Sequence, residues 1–176
     1  MKIGLTYDLR EEYLALGYSD EETAEFDKPE TVNGLTAAIE SLGHSVEKIG
    51  NHIALIAKLT EGKRWDLVFN IAEGLRGLGR ESLVPCLLDA FNIQYVFSDP
   101  MVLTLCLHKS MCKRVIRDLG VPTAKFRLIT RLTDIDGIDL IFPLFAKPVA
   151  EGTGKGISAL SKIEDHETLR RVCRDL

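Results

Sequence analysis

The sequence lacks an excess of positive charge and any long apolar run. Its 176 residues include 22 Lys and Arg against 26 Asp and Glu, which gives a formal net charge of −4. A nucleic-acid partner would demand a basic face, so this class of function is not expected. No apolar run approaches the roughly 20 residues that a spanning helix needs. The first residues indicate a short strand and not a signal peptide.

Cysteine is scarce and shows no pairing pattern. The sequence has four cysteines, with no Cys-x-x-Cys pair and no histidine at zinc-ligand spacing. We therefore expect reduced thiols in a cytoplasmic protein. The remaining composition, 45% hydrophobic and 27% charged, is that of an ordinary soluble domain.

A glycine-rich loop between two apolar segments is the most informative feature present. We predict a strand at 142–146, broken by Pro143, and a second strand at 157–160. Consecutive N–H groups in such a loop form a concavity that binds anions, and Lys147 and Lys155 add positive charge. The pattern therefore predicts a polyphosphate site, although it lacks the spacing of a Walker loop. The alternative is a plain hairpin with solvated lysines.

Strands and helices alternate from residue 1 to about residue 98, which is typical of a parallel, doubly wound sheet. In the first predicted helix, apolar side chains recur at helical spacing from Val32 to Leu42, and Gly43 ends the pattern. We predict strands at 2–7, 45–49, 66–71 and 94–98, and helices from Pro29, at 53–60 and at 82–90.

Two long connections interrupt this alternation. The acidic segment 8–27 is too long for a simple loop, and we interpret it as a lid-like or partly helical excursion. The segment 73–81 is rich in glycine and joins a strand to a helix, a geometry that binds anions. Arg76 and Arg80 would strengthen such an anion site; the alternative is a tight turn with solvated arginines.

The second half continues with shorter elements. A helix follows Pro100, and another carries Met111, Val115, Ile116 and Leu119 on one face, with Lys109 near its start. We predict a strand at 126–130 before the glycine-rich hairpin. The last amphipathic pattern runs to Leu176 without a stop signal, which suggests a piece of a longer protein.

Six segments occur in an order and at spacings that resemble a known family. They are Val68-Phe-Asn-Ile-Ala-Glu-Gly, Ser82-Leu-Val-Pro-Cys-Leu-Leu-Asp, Ser98-Asp-Pro, His108-Lys, Leu119-Gly-Val-Pro-Thr and Phe145-Ala-Lys-Pro-Val-Ala-Glu-Gly-Thr-Gly-Lys-Gly. Together they resemble the ATP-grasp ligases, and among them the D-alanine–D-alanine ligase family and its close relatives.

The resemblance implies the fold, the reaction and the cofactors. It implies an α/β fold, with a Rossmann-like, pre-ATP-grasp parallel-sheet domain over 1–103 and the first part of an ATP-grasp α+β nucleotide-binding domain over 104–176. In this family ATP phosphorylates a carboxylate, and an amine attacks the acyl phosphate to form an amide or peptide bond. The resemblance thus implies ATP and Mg²⁺ as cofactors, amino acid or small peptide substrates, and a homodimer formed through the first domain.

The resemblance also assigns residues. Lys109 and Lys147 match the family's two phosphate-binding lysines. The flexible loop that folds over the phosphates is matched by Glu151, Gly152, Thr153, Gly154, Lys155 and Gly156. Closing that loop excludes water from the reactive intermediate. The candidate catalytic residues are Thr153, the one hydroxyl where the family usually has two serines, and Glu30, in the role of a substrate-orienting glutamate.

The sequence departs from the family pattern at several positions. His108 replaces the customary aspartate, Glu73 replaces a histidine, and Tyr7-Asp8-Leu9-Arg10 replaces a Gly-Gly turn. These departures leave the identity of the acid and amine substrates open. The magnesium ligands of the family lie in the half that follows Leu176, so no metal ligand is predicted here and we expect this stretch alone to be inactive. The alternative function is a non-catalytic α/β module that binds a phosphorylated effector or partner.

Overall fold

A computed structural model describes all 176 residues, Met1–Leu176. The chain divides into two compact units, Met1–Thr104 and Leu105–Leu176. The sequence predicts a domain boundary between residues 103 and 104. None of the helices combines the length and the apolar character that crossing a membrane requires.

Three parallel strands form the sheet of the first unit, with β1 in the centre of the order β2-β1-β3. The parallel sheet confirms the predicted α/β class. Ile3, Leu5 and Thr6 are all buried, as expected for a central strand covered on both faces. The elements of this part of the chain are Lys2–Thr6 (β1), Arg10–Ala15 (α1), Pro29–Ser41 (α2), Ser45–Gly50 (β2), His52–Thr60 (α3), Leu67–Asn70 (β3), Leu83–Ala90 (α4) and Pro100–Leu107 (α5).

Local sequence explains where these helices begin. Pro29 occupies the first turn of α2, where a missing N–H has no consequence. The side chain of Asn51 accepts hydrogen bonds from the N–H groups of Ile53 and Ala54 and so caps α3. The segment 8–27 contains the short helix α1, in agreement with the prediction of a partly helical excursion.

The core of the first unit forms where α3 and α4 pack near the sheet. Val68 of β3 and Leu55 of α3 are fully buried, and so is Leu88 of α4. They belong to one apolar cluster with Ile49, Leu59, Trp65, Ala72, Val84 and Ile93. Each large buried side chain of this kind contributes about 1.5–3 kcal/mol to the free energy of folding.

The predicted fourth strand at 94–98 is wrong in extent. Only Tyr95 forms a parallel bridge, to Val68. The N–H of Val68 donates to the carbonyl of Gln94 at 2.8 Å, and the N–H of Val96 donates to the carbonyl of Val68 at 3.0 Å. Phe97 then adopts a φ of 74°, which turns the chain away from the sheet and ends the pairing.

The second unit contains short strands and two longer helices. Its elements are Lys109–Asp118 (α6), Leu144–Phe145 (β4), Lys162–Ile163 (β5) and His166–Asp175 (α7). The strands β4 and β5 are antiparallel, with Leu144 opposite Ile163. A small core of Ile135, Ile163, Leu169 and Val172 joins α7 to this hairpin.

Two strand predictions in this unit are wrong. In both segments a side chain hydrogen-bonds to nearby main-chain N–H groups and stabilises a turn in place of a strand. Segment 126–130 is not a strand. The Asp134 carboxylate accepts hydrogen bonds from the N–H groups of Thr130 and Arg131 and supports the 3₁₀ turn Leu132–Gly137. Residues 157–160 are not a strand either, because the side chain of Ser158 caps the 3₁₀ turn Ala159–Ser161.

The predicted strand at 142–146 shrinks to the two residues of β4. Pro143 has no N–H to donate to a ladder, which limits pairing on its side. The apolar face predicted for α6 is present but exposed. Met111 and Leu119 are 43% and 73% exposed, whereas Ser110 is the buried residue of this helix.

Candidate functional site

The predicted phosphate loop is a series of tight turns between Lys147 and the 3₁₀ turn that precedes β5. The N–H of Lys155 donates to the carbonyl of Gly152 at 2.8 Å, and the N–H of Ile157 donates to the carbonyl of Gly154 at 3.0 Å. Thr153 and Gly154 have φ values of 47° and 78°. Two successive positive φ values fold this part of the loop into a sharp turn.

Gly156 is required by close packing as well as by its conformation. Its φ is 70°, and a Cβ atom there would lie 2.6 Å from Cγ of Pro148. The side chain of Pro148 therefore occupies the space beside the glycine. A Cβ atom at Gly154, by contrast, would meet nothing within 4 Å beyond its chain neighbours, so only the backbone conformation favours glycine there.

Lys109 is tied to this loop through two separate bonds. Its N–H donates to the carbonyl of Val149 at 2.9 Å, and its ammonium group donates to the carbonyl of Glu151. The imidazole of His108 caps the start of α6 by accepting the N–H of Met111 at 3.3 Å. The start of α6 and the loop are thus brought together.

The other two lysines of the candidate site differ in their surroundings. The ammonium group of Lys155 pairs with the carboxylate of Glu151 at 3.0 Å. Lys147 is exposed and makes no hydrogen bond or ion pair with protein atoms. Three ammonium groups are donors of the kind that the oxygens of a polyphosphate accept from. The residues present therefore fit the phosphates of ATP.

The two candidate catalytic residues lie in different places. Thr153 is an exposed residue of the loop itself. Glu30 belongs to the other compact unit, where it is exposed in the first turn of α2. No group of three His, Cys, Asp or Glu side chains is arranged to hold a metal ion.

A second candidate site, not predicted from the sequence, is a cavity of about 310 Å³ in the first unit. It lies where β3 ends, at the carboxyl edge of the parallel sheet, which is the usual place for ligands in such sheets. Apolar lining comes from Leu35, Phe97 and Leu103, and polar lining from Asn70. Four carboxylates complete it, those of Glu25, Asp27, Glu73 and Glu81.

A buried network around Asp8 holds the loop that follows β3 next to this cavity. The Asp8 carboxylate accepts the N–H groups of Glu73 at 3.0 Å and Gly74 at 2.9 Å. The hydroxyl of Tyr13 donates to the same carboxylate at 2.5 Å. The main-chain carbonyl of Asp8 accepts the N–H of Asp27 at 2.9 Å. Asp8 therefore positions both acidic segments of the lining.

For Arg80, both alternatives are wrong, the anion site and the solvated arginine. The guanidinium of Arg80 is buried and pairs with Glu25 at 2.6 Å, both side chains being almost fully buried, and it lies 3.8 Å from the carboxylate of Glu81. Its charge is therefore neutralised inside the protein. Arg76 is exposed. The excess charge in this region is negative.

The carboxyl group of Glu73 shows the effect of that charge. Burial, together with the nearby carboxylates of Glu81 and Glu25, raises the pKa of Glu73 to about 7. Burial also raises the pKa of Asp27, with Asp8 as the second cause. In the sequence, the only signal for this cavity is the replacement of a histidine of the family pattern by Glu73.

Comparison with known proteins supports the resemblance seen in the sequence. No family model matches the chain. The chain is 32% identical over 131 residues to a D-alanine–D-alanine ligase of Glaesserella parasuis, and the match covers 72% of this chain and 42% of that protein. A D-alanine–D-alanine ligase of Xylella fastidiosa is 30% identical over 130 residues, which is 71% of this chain and 42% of that protein. The chain thus spans less than half the length of these curated relatives.

Solved structures show the same fold. The D-alanine–D-alanine ligase of Bacillus anthracis superposes with a TM-score of 0.71 at 19% identity, over 99% of this chain and 53% of that one. The VanG D-Ala:D-Ser ligase of Enterococcus faecalis superposes with a TM-score of 0.64 at 17% identity, over 98% of this chain and 58% of that one.

Proposed function

We propose that this chain, which is related to the amino-terminal portion of the D-alanine–D-alanine ligases of the ATP-grasp superfamily, is part of an ATP-dependent ligase that joins a carboxylate to an amine. The reaction passes through an acyl phosphate, and the substrates are amino acids or small peptides. The single observation that supports this most strongly is the attachment of Lys109 to the loop at Val149 and Glu151.

The lysines of the proposed site neutralise phosphate charge. Phosphoryl transfer depends on positioning and electrostatic stabilisation more than on covalent help from the protein. Lys147, which has no partner in the chain, offers its ammonium group to a phosphate directly. Lys109 reaches the same region from the start of α6, where it also holds the loop.

The loop 151–156 covers the phosphates in this proposal. Its turns present main-chain N–H groups, and Thr153 adds a hydroxyl. Closing the loop removes water that would otherwise hydrolyse the acyl phosphate. The salt bridge between Lys155 and Glu151 gives the loop internal structure before it closes. Glu30 is proposed as a substrate-orienting residue.

Three further elements belong to the proposal. Magnesium would bridge the phosphates, and its ligands are expected in the part of the ligase architecture that this chain does not span. The Met1–Thr104 unit is proposed as the Rossmann-like domain through which a homodimer forms, and Leu105–Leu176 as the start of the nucleotide-binding domain.

Four free cysteines agree with a reducing, cytoplasmic setting. This chain alone is expected to be inactive.

The test is ATP-dependent phosphate release by the full product of the gene, measured with a panel of D- and L-amino acids offered singly and in pairs. Release that requires two amino acids supports the ligase and identifies its substrates. If the protein binds ATP tightly but releases no phosphate with any pair, ATP-grasp chemistry still stands and the search moves to other acids. If ATP does not bind, the proposed phosphate site is wrong.

A further inference from the structure

The imidazole of His108 receives two hydrogen-bond donors at the start of α6. Its Nδ1 atom accepts the main-chain N–H of Met111 at 3.3 Å, and the hydroxyl oxygen of Ser110 lies 3.3 Å from the same atom. Because a main-chain N–H group can only donate, Nδ1 carries no proton. The neutral imidazole therefore has its proton on Nε2, and this tautomer caps the helix.

The hydroxyl of Ser110 indicates the same tautomer. Ser110 is 4% exposed, and the hydrogen-bond partner of its hydroxyl is Nδ1 of His108. Buried hydroxyl groups are normally hydrogen-bonded. Since Nδ1 is an acceptor for Met111, the Ser110 hydroxyl donates to it as well, and both donors fix the orientation of the ring.

The peptide unit between His108 and Lys109 connects this cap to the glycine-rich loop. Its carbonyl, that of His108, accepts the N–H of Cys112 at 3.0 Å. Its N–H, that of Lys109, donates to the carbonyl of Val149 at 2.9 Å. A peptide unit is planar and rigid. The direction in which the Lys109 N–H meets the loop is therefore set by the way His108 is held in the first turn of α6.

The cap also determines where the Lys109 side chain starts. The φ and ψ of His108 are −84° and 87°, outside the helical region, so the helix begins at the next residue. Without an acceptor on residue 108, the N–H of Met111 would be one of the unsatisfied donors of a helix start. The first turn would then fray, and the Lys109 ammonium would lose its position beside the carbonyl of Glu151.

We propose that His108 is a positioning residue of the nucleotide site, which caps α6 through its Nε2–H tautomer and thereby holds Lys109 against the glycine-rich loop. The cap and its effect on the loop stand on hydrogen bonds within the chain. The further statement that Lys109, so positioned, binds a phosphate of ATP rests on the proposed function.

Two NMR measurements on this chain at pH 8 without ATP test the cap. Ring ¹⁵N shifts distinguish the tautomers, and the His108 signals are identified by their loss in His108→Asn. We expect a protonated Nε2 and an unprotonated Nδ1. The amide signals of 149–152 should shift in His108→Ala and much less in His108→Asn, because asparagine is a strong N-cap residue. A proton on Nδ1, or loop signals that move equally in both variants, would overturn the proposal.

ATP titration of the full product of the gene tests the effect on nucleotide binding. We expect His108→Ala to weaken ATP binding by about fivefold, the equivalent of one lost N-cap interaction. His108→Asn should restore the affinity to within about twofold of the unchanged protein. Equal ATP affinities of His108→Ala and the unchanged protein would contradict the proposal.

Asp165→Ala is the matched control. The Asp165 carboxylate caps α7, a different helix of the same unit, by accepting the N–H of Thr168 at 2.7 Å. Thermal unfolding shows that every variant is folded, and Asp165→Ala should lower the melting temperature about as much as His108→Ala does. We expect Asp165→Ala to leave the affinity for ATP unchanged. If both alanine variants weaken ATP binding equally, His108 supports the fold alone and the proposal is wrong.

These outcomes separate the role of His108 from the proposed function. If ATP binds and His108→Ala does not weaken it, the positioning role fails and the ligase assignment is unaffected. If ATP does not bind at all, the ligase assignment fails, while the ring and loop signals of this chain still decide whether His108 positions Lys109.

Discussion

The ammonium group of Lys109 donates a hydrogen bond to the main-chain carbonyl of Glu151. This bond fastens the first residue of α6 to the first residue of the glycine-rich loop. The Lys109 ammonium has three N–H donors, so a phosphate that accepted one of the others would lie beside the main chain of Glu151.

Replacing Lys147 should weaken ATP binding without unfolding the protein. Lys147 is exposed and has no partner in the chain, so Lys147→Ala removes only a contact to the ligand. A charge-assisted hydrogen bond of about 1.5–3 kcal/mol corresponds to a loss of about 10- to 150-fold in affinity. The matched control is Lys125→Ala, another exposed lysine of the same unit. Equal ATP dissociation constants for the two variants would show that Lys147 does not contact ATP.

Two glycines of the loop should respond differently to alanine. Both have positive φ, but only at Gly156 would a Cβ atom lie 2.6 Å from Pro148. We expect Gly154→Ala to lower the free energy of unfolding by about 1 kcal/mol through backbone strain. Gly156→Ala should lower it further, because Pro148 must also move. Denaturant titration measures both, and an equal or larger effect at Gly154 would contradict this description of the loop.

The sequence can predict those strands and helices whose formation depends on the spacing of apolar residues along the chain. Apolar spacing predicts β1, α2 and α3 because the burial of those side chains determines the element. It cannot predict that the chain turns at Phe97 after a single bridge to β3, or that Ser158 and Asp134 bind the backbone where strands are expected. Such competition depends on side-chain geometry that periodicity does not record.

The same limit applies to the candidate sites. Motif order places Lys109 and Lys147 near one loop, although the role of these residues stays a prediction. The place of Arg80 in a glycine-rich connection leaves two alternatives open, an anion ligand or a solvated side chain. Its guanidinium is instead paired with Glu25, which is 55 positions away in the chain. Long-range ion pairs of this kind leave no local pattern, so the sequence predicts neither the buried pair nor the acidic cavity.

Glu73 should make the protein less stable as the pH rises. Its pKa in the folded chain is about 7, above its ordinary value of 4.5. The folded state therefore holds the extra proton between these values, and stability falls as the pH rises from about 4.5 to about 7. Glu73→Gln should raise the melting temperature at pH 8 by about 2–4 °C. This shift corresponds to a gain of about 1 kcal/mol in the free energy of unfolding, a value that allows for screening by solvent.

At pH 4 the same Glu73→Gln substitution should have almost no effect, because Glu73 is then protonated in both states. Glu40→Gln serves as the control at both pH values. A melting temperature of Glu73→Gln that stays equal to that of the unchanged protein at pH 8 would show that Glu73 ionises without penalty.

Glu47 should have the opposite pH dependence. Burial alone would raise its pKa, but hydrogen bonds from Lys58, Lys2 and Trp65 lower it to about 2. Its contribution is present above the ordinary value of 4.5 and is lost as the pH falls from there to about 2. Glu47→Gln should lower the free energy of unfolding at pH 7 by at most about 1 kcal/mol, since these ion pairs are partly exposed.

Denaturant titrations at pH 7 and pH 3 measure this contribution. The difference between Glu47→Gln and the unchanged protein should shrink at the lower pH. A difference that is independent of pH would indicate lost packing against Trp65 and not a lost charge.

The most direct measurement of the central claim is a ¹H–¹⁵N NMR titration of this chain with ATP. The predicted result is a set of shifted amide signals confined to 108–110 and 147–156, with the same signals unmoved in Lys109→Ala. Shifts that avoid these two segments, or that persist unchanged in Lys109→Ala, would contradict the assignment of Lys109, Lys147 and the glycine-rich loop as a polyphosphate site.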